Sequence, residues 1–154
     1  MAERMQKRAP GASPGQPPDF VARIITSIVA LLDGERVDLS KTPLDMSGLP
    51  DFHRRAYQIA LTIPPGKTRT YGDIAKALGE PGAARAVGQA MGANRFPIIV
   101  PCHRVMAAGA KTGGFSARGG VDTKLRMLEI EGALAKPDAL PFDGLPLQAP
   151  PRKH

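Results

Sequence analysis

Prolines and glycines crowd both ends of this 154-residue chain and limit where a packed core can form. The crowded positions are Pro10, Gly11, Pro14, Gly15, Pro17 and Pro18 near the start and Pro137, Pro141, Pro146, Pro150 and Pro151 near the end. Such composition favours solvated, extended backbone. We therefore expect flexible tails at residues 1–19 and 136–154, a helix and a linker at 20–50, and the main domain at 51–135.

A four-residue repeat of apolar side chains predicts the first helix. The repeat consists of Phe20, Ile24, Ile28 and Leu32. Asp19 is a candidate cap for this helix, and Gly34 is its expected stop. Residues 35–50 carry turn-forming residues and little periodicity, so they are typical of a linker. Because about 80 residues make a small core, we expect the first helix to dock on the main domain and add buried apolar area.

Helix signals resume at Asp51. One face of the second helix would consist of Phe52, Ala56, Ile59, Ala60 and Ile63, and Pro64-Pro65-Gly66 would end it. Thr70 and Asp73 form an acidic variant of the capping box before a short third helix that ends at Gly79. Pro81 suits the first turn of a fourth helix at Gly82–Met91. The third and fourth helices are candidates for a helix-turn-helix.

The fourth helix has an unusually small surface. Its small residues are Ala83, Ala84, Ala86, Gly88, Ala90 and Gly92. Close packing between helices would explain these residues but not Arg85, the one long cation among them. An arginine that can enter a groove or a base stack would explain Arg85.

The final helix is predicted at Val121–Glu131, with Val121, Leu125 and Leu128 facing inward and Gly132 as its stop. Two glutamates near its end compete as candidates for a buried carboxylate. Glu129 and Glu131 lie about 80° to either side of the inward stripe at 3.6 residues per turn. Periodicity therefore does not choose between them.

Cys102 is the only cysteine and precedes His103 directly. Isolated cysteines often serve as small buried hydrophobes, but a thiol beside an imidazole also fits nucleophilic catalysis. Neighbouring side chains diverge in helices and strands, so pairing of this thiol and imidazole needs a turn or a bridging water. We expect Ile98-Ile99-Val100 to be a strand that ends at Pro101 and presents the thiol at a cleft.

Positive charge gathers around Cys102. Residues 66–120 carry eight lysines and arginines against two acidic residues, that is 8 − 2 = +6 of the net +7. This distribution favours a polyanionic partner such as DNA, although a merely soluble basic surface would look the same. One thiol and three histidines make a poor zinc set, so we expect no metal and no cofactor. No secretory or membrane segment is visible, which predicts an intracellular, cytoplasmic protein without membrane contact.

Several segments together resemble one known family. They are Ile63-Pro64-Pro65-Gly66, Tyr71-Gly72-Asp73-Ile74-Ala75, Ala84-Arg85-Ala86-Val87-Gly88, Asn94, Pro97 and Pro101-Cys102-His103-Arg104-Val105. In this combination they resemble the O6-alkylguanine-DNA alkyltransferases, or methylated-DNA–protein-cysteine methyltransferases, over residues 51–132. The resemblance implies a mainly α fold: a winged-helix-like helix-turn-helix domain with short strands near the active-site turn. Residues 20–50 would be a shortened N-terminal helical segment, the remnant of a larger domain in relatives.

The resemblance implies direct DNA repair in which Cys102 takes an alkyl group irreversibly from O6 of guanine and acts once. His103 would deprotonate the thiol through water, and the acidic residue before a glycine, here Glu131, would orient that histidine. Glu129 is then left as a solvated side chain. Asn94 would tie the helix-turn-helix to the active-site turn. Whether activity extends to O4 of thymine stays open.

The implied partner is double-stranded DNA containing O6-alkylguanine, bound by a monomer with the damaged base flipped out. The resemblance gives binding roles to Tyr71, Arg85, Ala84, Gly88, Val105, Phe115 and Ser116. Arg85 would fill the gap in the base stack while the small helix face lies in the minor groove. Tyr71 would reach the flipped base or its phosphate. The Val105 carbonyl would contact the guanine amine, and Ser116 would donate near the O6 atom. Without the resemblance, Tyr71 could equally be packing, Asn94 a loop cap and Ser116 a turn former.

The chain departs from the family pattern in three places. Phe115 stands where many relatives have tyrosine, Ala117-Arg118 looks like an insertion, and the N-terminal part is short. A lesion-binding module without chemistry is therefore the alternative function. A transcription regulator that uses the helix-turn-helix is a third hypothesis, but the sequence shows no separate effector domain that would support it. A cysteine hydrolase is a weaker hypothesis still, because this chain has no second histidine or asparagine placed to form the usual dyad.

Overall fold

The architecture of the chain, given by a computed structural model that describes residues 10–11, 13, 15–110 and 120–134, is mainly helical. The helices are α1 (Asp19–Leu32), α2 (Asp51–Leu61), α3 (Tyr71–Ala77), α4 (Ala84–Gly92) and α5 (Gly120–Ile130). Two strands, β1 (Arg69–Thr70) and β2 (Val105–Met106), pair in parallel with Arg69 opposite Val105. Short 3₁₀ turns occupy Cys102–Arg104 and Ala108–Ala110. The predicted fold class is confirmed.

The helix-turn-helix forms from local signals at α3 and α4. The Thr70 side chain accepts a hydrogen bond from the Asp73 backbone N–H at 3.0 Å, and the Asp73 carboxylate accepts one from the Thr70 N–H at 2.9 Å, which completes the predicted capping box. Gly79 has a φ of +78° just after α3, as its predicted role as a stop requires. The fourth helix begins at Ala84, two residues later than predicted, because the chain first makes a turn in which the Ala83 N–H donates to the Glu80 carbonyl.

The core lies where α2, α3 and α4 pack on one another. Ala56, Ile74 and Val87 are fully buried there. Burying an aliphatic side chain as large as isoleucine or valine stabilises the fold by about 1.5–3 kcal/mol. Tyr57, which the apolar pattern of α2 passed over, is also fully buried, and its hydroxyl donates to the Ala90 carbonyl at 2.9 Å. That bond ties α2 to α4 without leaving a buried hydroxyl unpaired.

The first helix docks only in part. It contacts α5 and buries Leu31, but Phe20 and Val29 remain 50% and 51% exposed. Asp19 lies inside the first turn and is not the cap, a position that Pro18 holds without a side-chain hydrogen bond. A carboxylate in the first turn still favours the helix through the macrodipole. None of the helices in the described residues has the length and apolar character needed to cross a membrane.

The inward face of α5 differs from the prediction. Val121 is 36% exposed and Leu125 is half-buried, whereas Lys124, Met127 and Leu128 are buried. The predicted stripe was wrong at Val121 because it counted apolar residues only and so passed over Lys124. Gly132, with a φ of +72°, ends the helix as predicted.

Candidate active site

The segment before Cys102 is a tight turn and not the predicted strand. The Val100 N–H donates to the Phe96 carbonyl at 2.9 Å, and Ile98 has a φ of +76°. Asn94, just after α4, holds this turn because its side-chain nitrogen donates to the Val100 carbonyl and its oxygen accepts from the Phe96 N–H, both at 2.9 Å. These side-chain bonds compete with a sheet ladder for the backbone groups of the turn.

The thiol lies in the 3₁₀ turn just after this segment. Cys102 is 5% exposed, so it lies beneath the surface and is not presented at an open cleft as the sequence had suggested. Burial raises the pKa of the Cys102 thiol, while a hydrogen bond with the Asn94 side chain and the charge of Lys124 act to lower it. Two polar side chains therefore favour the thiolate against the cost of burial.

His103, the residue directly after Cys102, contacts Glu131. His103 Nε2 lies 2.9 Å from Glu131 Oε1, and both side chains are almost fully buried. Arg104 also binds Glu131, with Nε 2.9 Å from Oε2 and Nη2 2.7 Å from Oε1, and its Nη1 donates to the Ile63 carbonyl at 2.6 Å. This bidentate arrangement is the strong form of a carboxylate–guanidinium contact. Glu129 instead lies 3.6 Å from the exposed Arg126.

The protonation states follow from these contacts. Burial acts to raise the pKa of Glu131, but the hydrogen bonds from His103 and Arg104 prevail and lower it to about 2, so the group is an anion at neutral pH. An ionised carboxylate only accepts, so His103 Nε2 carries the proton. Burial lowers the pKa of His103, although Glu131 acts to raise it. The lowered pKa keeps the ring neutral. Its Nδ1 is then a lone-pair acceptor, and it is the buried side-chain atom without a hydrogen-bond partner among the described residues.

Lys124 is a member of this site that sequence reasoning missed. Its ammonium donates to the Val105 carbonyl at 2.6 Å and lies 5.8 Å from the centre of the half-buried Tyr71 ring. The only signal available in the sequence was its position one turn before Leu128 on the inward face of α5. A lysine there is normally assumed to face solvent.

The small face of α4 divides between core and surface. Ala90 is buried, while Ala84 is half-buried and a Cβ at Gly88 would meet open space. Arg85 is exposed, and it forms no ion pair with any residue of the described part of the chain. The backbone near Gly88 and the Arg85 guanidinium are thus both open to a partner. Phe115 and Ser116, together with the Ala117-Arg118 insertion, lie outside the described residues.

The charge pattern around the site is less uniform than the sequence suggested. Arg104 is 7% exposed and bound to Glu131, so it does not add to a surface that could contact phosphates. Arg69, Lys76 and Arg85 remain exposed on or beside the helix-turn-helix. Within the described ranges, no group of three or more histidine, cysteine or acidic residues could hold a metal ion.

Sequence comparison identifies the family. The family described as 6-O-methylguanine DNA methyltransferase, DNA binding domain, matches residues 51–133, which is more than half of the chain. This chain belongs to the methylated-DNA–protein-cysteine methyltransferase family. The methylated-DNA–protein-cysteine methyltransferase of Mycobacterium bovis is 43% identical over 126 residues, which cover 82% of this chain and 74% of the relative. A relative of the same name from Methanothermobacter thermautotrophicus is 38% identical over 116 residues, which cover 75% of this chain and 64% of the relative.

Solved structures of methyltransferases in this family agree with the fold. The crystal structure of Mycobacterium tuberculosis OGT in complex with DNA is 44% identical, with a TM-score of 0.66 over 73% of this chain and 67% of that one. The O6-methylguanine-DNA methyltransferase of Pyrococcus kodakaraensis is 37% identical, with a TM-score of 0.63 over 85% of this chain and 74% of that one. The resemblance seen in the sequence is therefore confirmed at the level of family and fold.

Proposed function

We propose that Cys102 is the acceptor in the repair reaction of this family, in which an alkyl group moves from O6 of guanine in duplex DNA to a protein cysteine. The observation that carries the assignment is the buried His103–Glu131 pair, whose histidine directly follows the only cysteine in the chain. A neutral imidazole oriented by a carboxylate is the usual means of activating a nucleophile of this kind.

The chemistry balances with the groups at hand. The thiol gives its proton through a bridging water to Nδ1 of His103, and the thiolate attacks the alkyl carbon. A carbon–sulfur bond forms as the carbon–O6 bond breaks, and the electron pair of that bond goes to the guanine. The imidazolium returns its proton so that guanine is left neutral and intact. Because a thioether is a poor leaving group, each molecule acts once.

Glu131 and Asn94 support this step without touching the alkyl group. The Glu131 anion holds the Nε2 proton of His103, which keeps the acceptor lone pair on Nδ1. Arg104 binds both oxygens of Glu131 and so fixes the carboxylate. Asn94 bonds the turn that precedes the thiol. All three act as positioning residues in this proposal.

Recognition requires the damaged nucleotide to leave the stack, since a stacked base does not reach a buried sulfur. Arg85 is exposed and free to fill the gap, and the open backbone near Gly88 and Ala84 suits close approach to the minor groove. The resemblance adds Tyr71, Val105, Phe115 and Ser116 as contacts to the flipped base. A DNA substrate implies action inside the cell, at the nucleoid if the source is bacterial.

Single-turnover transfer from duplex DNA with a radiolabelled O6-methylguanine tests this function. We expect one methyl group per protein molecule and no further turnover with excess DNA. Cys102→Ala should bind the same duplex with unchanged affinity and transfer nothing. Tight binding of the damaged duplex by the wild-type chain without transfer would overturn the proposal and favour a lesion-binding module.

A further inference from the structure

Lys124 is the one lysine of the described residues that is fully buried, and it lies in the centre of the site. Its ammonium donates to the Val105 carbonyl at 2.6 Å, and the Tyr71 ring centre lies 5.8 Å away. Val105 belongs to β2 and Tyr71 begins α3, so this side chain connects α5 to both elements. Burying a lysine is costly, and a site normally retains one only where its charge is used.

The charge of Lys124 has no carboxylate partner among the described residues. Glu131, seven residues further along the chain and just past the end of α5, is already bound to Arg104 and His103. One carbonyl oxygen and one ring face leave an ammonium partly unsatisfied, because it has three protons to donate. An anion that forms nearby would therefore be stabilised. The Cys102 thiolate is the anion that the reaction forms, and it lies three residues before the Val105 carbonyl that Lys124 binds.

We propose that Lys124 is a positioning residue that acts as the counter-ion of the Cys102 thiolate and fixes the Val105 carbonyl and the Tyr71 ring around the reacting base. The inference rests on the proposed function of Cys102 and adds the group that makes its deprotonation favourable. Sulfur is neutral before and after transfer, so Lys124 stabilises mainly the state in which the thiolate attacks. In keeping with this, burial lowers the pKa of Lys124 while Cys102 acts to raise it.

Other groups also face the thiol. A hydrogen bond with Asn94, just after α4, acts to lower the pKa of the Cys102 thiol. The hydroxyls of Tyr57 on α2 and Tyr71 on α3 both have a pKa that burial raises and that a charge on Cys102 raises further. The neighbouring His103 is held neutral. Lys124 is thus the cationic side chain of the described residues that acts on Cys102.

The first test compares the wild-type chain of 154 residues with Lys124→Met and Lys124→Arg. Lys41→Met serves as a matched control because Lys41 is exposed and the change in net charge is the same. The thiol is titrated by the ultraviolet absorbance of the thiolate, taken as the difference from the same chain carrying Cys102→Ser, which cancels the contribution of the two tyrosines. Single-turnover methyl transfer is measured across the same pH range.

We expect the thiol pKa to rise in Lys124→Met, and transfer at neutral pH to slow by roughly tenfold or more, the consequence of one pKa unit or more. The rate should recover as the pH passes the raised pKa, which lost packing alone would not produce. Lys124→Arg should retain most of the wild-type behaviour, and Lys41→Met all of it. A folded Lys124→Met with the wild-type thiol pKa and pH profile would overturn the inference.

A second measurement needs no substitution of the lysine. The Lys124 amine is titrated by nitrogen-detected NMR in the wild type and in Cys102→Ser, which keeps the shape of the side chain but forms no anion. Coupling is reciprocal, so the amine pKa should fall in the serine variant. An equal pKa in both chains would overturn the inference even if Lys124→Met does not fold. Failure of the wild type to transfer methyl would instead count against the proposed function, since neither titration involves DNA.

Discussion

Replacement of Glu131 by glutamine should destabilise the protein far more than the same change at Glu129. Glu131 is 2% exposed and binds both His103 and Arg104, whereas Glu129 is 29% exposed with a 3.6 Å contact to Arg126. Both residues lie near the end of α5, and both substitutions remove one negative charge at nearly constant volume. Glu129→Gln is therefore a matched control for Glu131→Gln.

The size of the effect follows from the pKa of Glu131, which falls from its ordinary value of 4.5 to about 2. A shift of this size corresponds to about 3 kcal/mol of stability at neutral pH. Because the folded-state pKa is depressed, this stability is present above the unfolded value of 4.5 and is lost as the pH falls toward 2. At pH 3 it should have decreased to roughly 1–2 kcal/mol. The exposed pair at Glu129 should contribute less than about 0.5 kcal/mol.

The assay is urea unfolding of the wild type and both variants at pH 7 and pH 3. We expect Glu131→Gln to lose about 3 kcal/mol at pH 7, because it leaves the buried Arg104 guanidinium without its anion, and the difference from wild type should shrink at pH 3. Glu129→Gln should match the wild type at both values. Equal losses in the two variants, or a Glu131→Gln deficit that does not change with pH, would refute the reasoning.

Two further substitutions test the surface of α4 and the packing behind the site. Arg85→Ala should slow transfer from duplex DNA roughly tenfold or more and leave the reaction with free O6-alkylguanine base unchanged, because only the duplex reaction requires base flipping. Equal slowing of both reactions would argue against a role of Arg85 in the base stack. Gly66→Ala should lower the free energy of unfolding by about 2 kcal/mol or more, because Gly66 has a φ of +79° and its new Cβ would lie 2.9 Å from the Glu131 carbonyl oxygen. Gly79→Ala is the control, since its φ of +78° is similar but its Cβ would meet nothing within 4 Å, so a loss as large as that of Gly66→Ala would contradict the close contact.

Local signals in the sequence predicted the local structure well. The capping box at Thr70 and Asp73 and the stops at Gly79 and Gly132 depend on groups a few residues apart, and all are present. The turn at residues 97–100 was misread because its geometry depends on Asn94, whose side chain bonds backbone groups several residues away. An apolar run predicts burial, and it does not distinguish a strand from a buried turn.

The site itself needed more than periodicity. The helix repeat left Glu129 and Glu131 equivalent, and the resemblance to the family favoured Glu131, which is the glutamate that lies against His103 and Arg104. Lys124 escaped prediction because the expected inward face counted apolar residues only. Its burial depends on the Val105 carbonyl and the Tyr71 ring, which belong to distant parts of the sequence. The roles of Phe115 and Ser116 stay predictions.

The mass of the peptide that contains Cys102, after incubation with duplex DNA bearing O6-methylguanine, tests the central claim most directly. We predict a gain of about 14 Da, one methyl group in place of the thiol hydrogen, located on residue 102 by fragmentation. An unmodified Cys102 peptide, or a methyl group on any other residue, would contradict the claim that this buried thiol is the acceptor.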